Sequence, residues 1–223
     1  DAQTNILGTI NVLENAVKYK LKKFIFASSG GVMYGECDEV PPSEEMTPHP
    51  LSPYGITKHT VEHYQEYYSQ IYGLKYVVFR YGNVYGPRQD PHGEAGVVAI
   101  FIKGLLADKQ VNIFGDGEQM RDYVCVADVV NANLIALENG ENEIFNIATG
   151  KTKSVNQLFD EIAGITGHPA RPIYQPSRTG ELFKSSLDVS KAKKKLGWIS
   201  KVNFSDGLKE TYKYFVKNAD NGK

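Results

Sequence analysis

Three groups of residues have types and spacing suited to chemistry. Tyr54 and Lys58 stand four apart in Ser52-Pro53-Tyr54-Gly55-Ile56-Thr57-Lys58, Ser28 and Ser29 close the apolar run Phe24-Ile25-Phe26-Ala27, and His59, Glu62 and His63 spell His-x-x-Glu-His. A phenol beside an ammonium can take a proton from an alcohol, and a nearby serine hydroxyl extends the set. Two imidazoles one turn apart with a glutamate match the inverted zinc-peptidase spelling, in which the glutamate activates a metal-bound water. The plain alternative for all of them is capping and surface duty on a tyrosine-rich helix.

The lysine answers a problem of magnitude. Free tyrosine has a pKa near 10, so only about one in a thousand is ionised at pH 7. Closing that gap takes roughly 4 kcal/mol, about what a cation some 4 Å away supplies at an effective dielectric near 20. The spacing alone is not distinctive, because Tyr19 and Lys23 repeat it in a basic stretch with nothing catalytic nearby. Context separates the copies: Ser28-Ser29-Gly30-Gly31 follows a strand-like run and Ser52-Pro53 announces a helix start, which puts Ser29 and Tyr54 where ligands meet open α/β sheets.

The elements that must position these groups alternate. Strand-like runs cover 24–27, 76–79, 111–114, 143–147 and 171–174; helical periodicity covers 53–72, 97–106, 128–138, 154–165 and 205–217. Strands separated by helices of that length imply crossover units and a mostly parallel sheet covered on both faces. The Pro-, Gly- and charge-rich stretches 35–53 and 86–96 read as long loops that meet substrate, and Gly115-Asp116-Gly117 as a turn.

On a wheel begun at Tyr54, Ile56, Val61, Tyr64, Tyr67, Tyr68 and Ile71 fall in one arc of about 200° to 340°, the expected buried face. Tyr54 and Lys58 lie on one flank, near 0° and 40°, and His59 and His63 on the other, near 140° and 180°. One site cannot easily use both.

Composition excludes other classes. The 223 residues carry 25 basic and 26 acidic side chains, too balanced for a nucleic-acid or anionic-membrane surface, and the Lys18–Lys23 cluster reads as solvated helix ends. Cys37 and Cys125 are too few for a disulfide framework or a four-thiolate site, and Cys125 reads as a small buried apolar residue. No run approaches the roughly 20 apolar residues that span a bilayer, and no signal peptide opens the chain, so a cytoplasmic location is expected.

Taken in order, "FASSGGVMYGE", "SPYGITK", "RYGNVYGPRQ", "GDGEQMRDYVCVADV", "FNIATG" and "PSRTGELFKSSLDVSKAKKKLGW" resemble the extended short-chain dehydrogenase/reductase family, closest to its nucleotide-sugar 4-epimerase branch, over the whole chain. The resemblance implies a Rossmann-type doubly wound parallel sheet (residues 1–86 and 119–150) and a smaller carboxyl-terminal α/β lobe for a UDP-sugar (87–118 and 151–223). It implies tightly held NAD, hydride exchange at C4 through a transient 4-keto sugar, and a homodimer paired through helices, the helix of Tyr64, Tyr67, Tyr68 and Ile71 offering an apolar face. Tyr54 would be the base, Lys58 would lower its pKa and hold the nicotinamide ribose, and Ser29 would hold the 4-oxygen. Asn5, Ser28, Tyr81 and Gly82 would lie beside the cofactor. Asn83 would grip the sugar phosphate, Arg121 and Arg178 the diphosphate, and Glu181 a ribose hydroxyl, with Val97 and Ile113 on the uracil side. Arg121 beside Asp122 has a plain reading too, a structural ion pair.

The family's opening strand, Gly-rich turn and helix, which seat the pyrophosphate, are not found. Ile6, Ile10, Leu13 and Val17 already recur at helical spacing, so the amino-terminal cofactor-binding half is expected to be missing and the piece to hold NAD weakly. Gly30 and Gly31 stand where related dehydratases carry an Asp-Glu pair, which weakens that reading. Open alternatives are another nucleotide-sugar reductase or dehydratase, a catalytically silent sugar-binding fragment, and a zinc hydrolase using His59 and His63.

Overall fold

The computed structural model describes residues 1–37, 41–92, 96–169, 171–178 and 180–219. Parts of both long loops, 38–40 and 93–95, therefore lie outside the described residues. The chain opens with a π-helical turn, Ala2–Leu7, running into α1 (Gly8–Lys18), then β1 (Lys23–Ser29), α2 (Pro53–Tyr72) and β2 (Lys75–Tyr81). After β3 (Asn83–Tyr85) come α3 (Val97–Leu106), β4 (Asn112–Phe114), β5 (Met120–Arg121), β6 (Tyr123–Cys125) and α4 (Val126–Ala136). The remainder is β7 (Glu143–Ile147), β8 (Lys153–Ser154), α5 (Val155–Thr166), β9 (Ile173–Gln175), β10 (Lys184–Ser185) and α6 (Phe204–Ala219).

Strands β1, β2 and β7 form a parallel sheet in that order. Its register aligns Phe26 with Val78 and Ile144, Ser28 with Arg80 and Asn146, and Ser29 with Tyr81 and Ile147. Side chains alternate across the pleat. Phe26, Tyr76 and Val78 therefore pack with Val61 of α2 on one face, while Val77, Phe79, Phe145 and Ile147 pack with Val129, Ala132 and Ala136 of α4 on the other. The sheet is thus covered on both faces, as expected of crossover units. A second core joins Phe101 and Ile102 of α3, Leu158 and Ile162 of α5, and Leu208 and Phe215 of α6 around Ile113, Tyr85 and Tyr123. Cys125 is buried in it.

Helix α2 has clear ends. Ser52 accepts a hydrogen bond from Gly55 N at 3.1 Å, Pro53 fills the first turn, and Gly73 closes the helix at φ 68°. Its buried face differs from the one the apolar residues mark. Ile56, Tyr67 and Ile71 are 52%, 48% and 60% exposed, whereas Thr57, Val61, Glu62, Gln65 and Tyr68 are buried. The inward arc is centred near Tyr54 and Lys58, because Glu62 is neutralised by Arg80 from β2 rather than by water.

Lys23 also departs from the solvated reading of its cluster. Its Nζ donates to the carbonyls of Ala136, Leu137 and Asn139 at 2.8, 3.2 and 3.1 Å, a cation on the carboxyl end of α4, worth about 0.3–1 kcal/mol. Asp128 of α4 is buried and accepts from Ser200 Oγ, Lys201 N and Val202 N at 2.8, 3.1 and 3.0 Å, while its carbonyl takes the Trp198 indole N–H. Gly115-Asp116-Gly117 is a turn, with φ 74° and 79° at its glycines.

Candidate active site

The carboxyl end of β1 and the first two turns of α2 meet. Lys58 Nζ donates to Ala27 O at 2.9 Å, lies 4.7 Å above the Phe26 ring and 5.7 Å from the Tyr54 ring centroid. Burial pushes the Lys58 pKa down from the usual lysine range. Among the described residues the Ala27 carbonyl is its one hydrogen-bond acceptor, so two of its three N–H donors are available to a hydroxylated ligand. Ser29, half-buried, stands two residues beyond that carbonyl and opens the 3₁₀ turn Gly30–Val32. Asn5 approaches from the opening turn, its Nδ2 donating to Thr57 Oγ1 at 3.2 Å, and Thr57 Oγ1 donates in turn to Tyr54 O at 2.8 Å. Tyr19 and Lys23, the second copy of the spacing, sit at the other end of β1.

The next strand ends bring more of the expected residues to the same edge. Asn83 N donates to Asp122 O at 2.7 Å, and a Cβ on Gly31 would sit 3.5 Å from Ser185 Oγ and 3.7 Å from Asn83 Oδ1. Ser185 Oγ donates to Gly31 O at 3.3 Å, tying β10 to the turn after Ser29. At Gly82 a side chain has no room, since a Cβ would lie 2.8 Å from Asp122 O. Arg121 pairs with Glu181, Nη2 to Oε1 3.0 Å, and not with its neighbour. Asp122 is buried, which raises its pKa, and accepts from Thr149 N, Thr149 Oγ1 and Gly150 N at 2.8, 2.6 and 2.8 Å. The exposed Arg178 stacks its guanidinium 3.8 Å from the centroid of Phe114.

Several expected residues are turned elsewhere. The Ser28 hydroxyl donates to Glu62 Oε1 at 2.6 Å and is buried, so only its main chain can reach a ligand. Tyr81 OH accepts from Asn133 Nδ2 at 2.8 Å on the α4 face. Ile113 is 1% exposed in the second core, and Val97 packs against that core. Strand alternation corrects the reading at β4: with Ile113 inward, Asn112 and Phe114 face out, and Phe114 is the residue beside Arg178. An outward aromatic next to an inward β-branched residue was the available signal.

The residues of the His-x-x-Glu-His spelling are engaged in other ways. His59 and His63 rings lie 4.5 Å apart, but Glu62 is held by Arg80 and Ser28, and no group of three or more His, Cys, Asp or Glu able to hold a metal occurs among the described residues. Burial and then the charge of His63 lower the His59 pKa.

A phenol and a partly desolvated ammonium at the carboxyl edge of a parallel sheet suit a dinucleotide-dependent enzyme that acts on an alcohol carbon. Comparison with known proteins agrees. The chain belongs to the NAD dependent epimerase/dehydratase family, whose model matches residues 1–148. It is 56% identical to a UDP-glucose 4-epimerase of Thermotoga maritima solved with UDP-glucose (TM-score 0.96, covering 98% of this chain and 71% of that one). It is 42% identical to a UDP-glucose 4-epimerase of Thermus thermophilus solved with NAD (TM-score 0.91, 97% and 71%). A UDP-glucose 4-epimerase of Mycolicibacterium smegmatis is 43% identical, over 96% of this chain and 69% of its own. Those shares do not support the expectation that a whole cofactor-binding half is missing.

Proposed function

We propose that this protein carries out NAD-dependent epimerisation at C4 of a UDP-sugar of the UDP-glucose/UDP-galactose type. The observation that carries the reading is the docking of Lys58, beside Tyr54, onto the carbonyl end of β1. Family membership and relatives solved with UDP-glucose and with NAD support it.

Bound NAD would supply the acceptor and donor of hydride for C4. The residues of this chain do the rest. The ionised Tyr54 oxygen, favoured by the Lys58 ammonium beside it, takes the proton of the sugar 4-hydroxyl. Lys58 also directs its two remaining N–H donors at ribose hydroxyls, with Asn5, the main chains of Ser28 and Tyr81, and Gly82 alongside. Ser29 holds the 4-oxygen. The 4-keto sugar turns, receives hydride at C4 on its other face and takes the proton back from Tyr54 onto the 4-oxygen, which inverts C4 and restores the ionised tyrosine. Arg121 and Arg178 grip the diphosphate, a task suited to the guanidinium fork; Glu181 orients Arg121 and receives a ribose hydroxyl, and Asn83 holds the sugar phosphate. Residues 1–86 and 119–150 make up the NAD-binding domain and 87–118 and 151–223 the nucleotide-sugar lobe, with Ser29, Asn83 and Arg121 reaching the sugar nucleotide from the first.

A cytoplasmic enzyme fits a chain in which no described helix is long and apolar enough to cross a membrane. The outward stripe Ile56, Tyr64, Tyr67 and Ile71 on α2 suits a homodimer interface. The test is conversion of UDP-galactose to UDP-glucose with Tyr54→Phe as control. Conversion that vanishes in the variant is expected; no turnover by the parent, or undiminished turnover by the variant, refutes the reading.

A further inference from the structure

Beneath the candidate site runs a chain of buried polar groups that the chemistry above does not use. Ser28 Oγ donates to Glu62 Oε1 at 2.6 Å. Arg80 grips the same carboxylate through Nε and Nη2, the latter 2.6 Å from Oε2, and donates through Nη1 to Tyr34 OH at 2.7 Å. Tyr34 OH donates to Asn146 Oδ1 at 3.0 Å, and Asn146 Nδ2 donates to Pro42 O and Asp188 O at 3.0 and 3.1 Å. Glu44 Oε1 accepts from Asn146 N at 2.6 Å. Ser28, Glu62, Arg80, Tyr34 and Asn146 are each at most 5% exposed.

Stability alone is a poor reason for such a chain. A buried ion pair often gains nothing over apolar side chains of the same shape, because desolvation offsets attraction. What the bidentate fork fixes is direction. Ser28, Arg80 and Asn146 form one cross-strand row, and the row after it begins with Ser29. Glu62 lies one turn beyond Lys58 on the inward side of α2, so its grip sets the rotation of the helix that carries Tyr54 and Lys58. On the far side of Ser29, Gly30 is closely packed: a Cβ there would lie 2.5 Å from Leu187 Cδ1.

We propose that the Ser28–Glu62–Arg80–Tyr34–Asn146 chain is a positioning device for the epimerisation, locking the strand end that bears Ser29 to the helix that bears Tyr54 and Lys58. Glu62, Arg80 and Ser28 are positioning residues; none of them touches the sugar. The inference rests on the proposed function, since it concerns the distance between that reaction's groups.

The test uses the protein loaded with NAD and three variants: Ser28→Ala, Glu62→Gln, and the apolar pair Glu62→Leu with Arg80→Met. Measured are kcat and KM with UDP-galactose, the thermal midpoint, and amide hydrogen exchange over residues 29–34. A small displacement of reacting groups costs rate rather than binding, so kcat should fall about tenfold or more in the paired variant and several-fold in Ser28→Ala, while KM stays within about twofold. Exchange at residues 29–34 should quicken in the same order. Folded variants that keep the parental kcat, or that change only KM, overturn the proposal. If the paired variant does not fold, Ser28→Ala decides alone, because it removes one oxygen and no charge. A parent without turnover refutes the proposed function and this inference with it; an active parent with equally active variants refutes this inference only.

Discussion

Replacing Arg80 by methionine is the sharpest probe of how this molecule holds its shape. The side chain is 3% exposed and makes three contacts to the Glu62 carboxylate and one to Tyr34 OH. Burial works against its charge, yet the Glu62 hydrogen bonds and charge outweigh that and raise its pKa, so the guanidinium stays charged throughout any practical titration. Removing it leaves a carboxylate that is 3% exposed without its cation. Breaking a buried pair in this way costs about 3–5 kcal/mol, which for a chain of this size lowers the thermal midpoint by roughly 6–20 °C. Adding Glu62→Leu removes the stranded charge, and most of the loss should return, leaving about 1–2 kcal/mol for the Ser28 and Tyr34 hydroxyls that lose their partners. Thermal and urea melts of the parent, both single variants and the pair close a double-mutant cycle. Additive single losses, with a coupling below about 0.5 kcal/mol, would refute the claim that these two side chains neutralise one another.

Other outcomes follow from the geometry. Tyr54→Phe should lower kcat by about 10²–10⁴-fold, the usual contribution of a positioned proton acceptor, with bound NAD content unchanged; a smaller loss removes the phenol from the reaction. Because burial lowers the Lys58 pKa in the fold, the unfolded chain holds that proton more tightly, so its contribution to stability grows as pH rises from the lowered folded pKa towards the unfolded value. NMR titration of isotopically methylated lysines should show one resonance titrating below the rest and missing from Lys58→Arg; uniform lysine titration contradicts this. Phe114→Ala and Arg178→Lys should each raise KM for the UDP-sugar about tenfold, since both abolish the stacked guanidinium; an unchanged KM in either counts against a ligand at that stack. His59→Ala with His63→Ala should keep epimerase turnover, measured with and without added zinc.

Much of the fold was legible because local signals agreed. Ser52-Pro53 and Gly73 bracket α2, and β7 and α3 run over the residues their apolar patterns mark. The inward face of α2 was not legible. A helical wheel sorts residues by apolarity, and the partner that lets Glu62 face inward, Arg80, lies 18 positions away on another element. Tyr64, Tyr67 and Ile71 were misassigned for the same reason: the wheel cannot tell a core from an exposed apolar face. At β4 the error was one of parity, since taking Ile113 as ligand-facing ignores the alternation that turns Phe114 outward. Spacing and context single out Tyr54 and Lys58 as candidates, whereas the acceptor that docks Lys58 is a main-chain carbonyl, which no side-chain pattern encodes.

The fastening of residues 198–202 onto Asp128 limits how the chain can be dissected. A cut near residue 150 would look natural on a diagram, but it would strand a sequestered acid in the first piece and leave three donors of the second without their acceptor. Neither piece should persist well alone, so inheritance, truncation and shuffling experiments should all treat the stretch from α4 to the tryptophan loop as one indivisible unit.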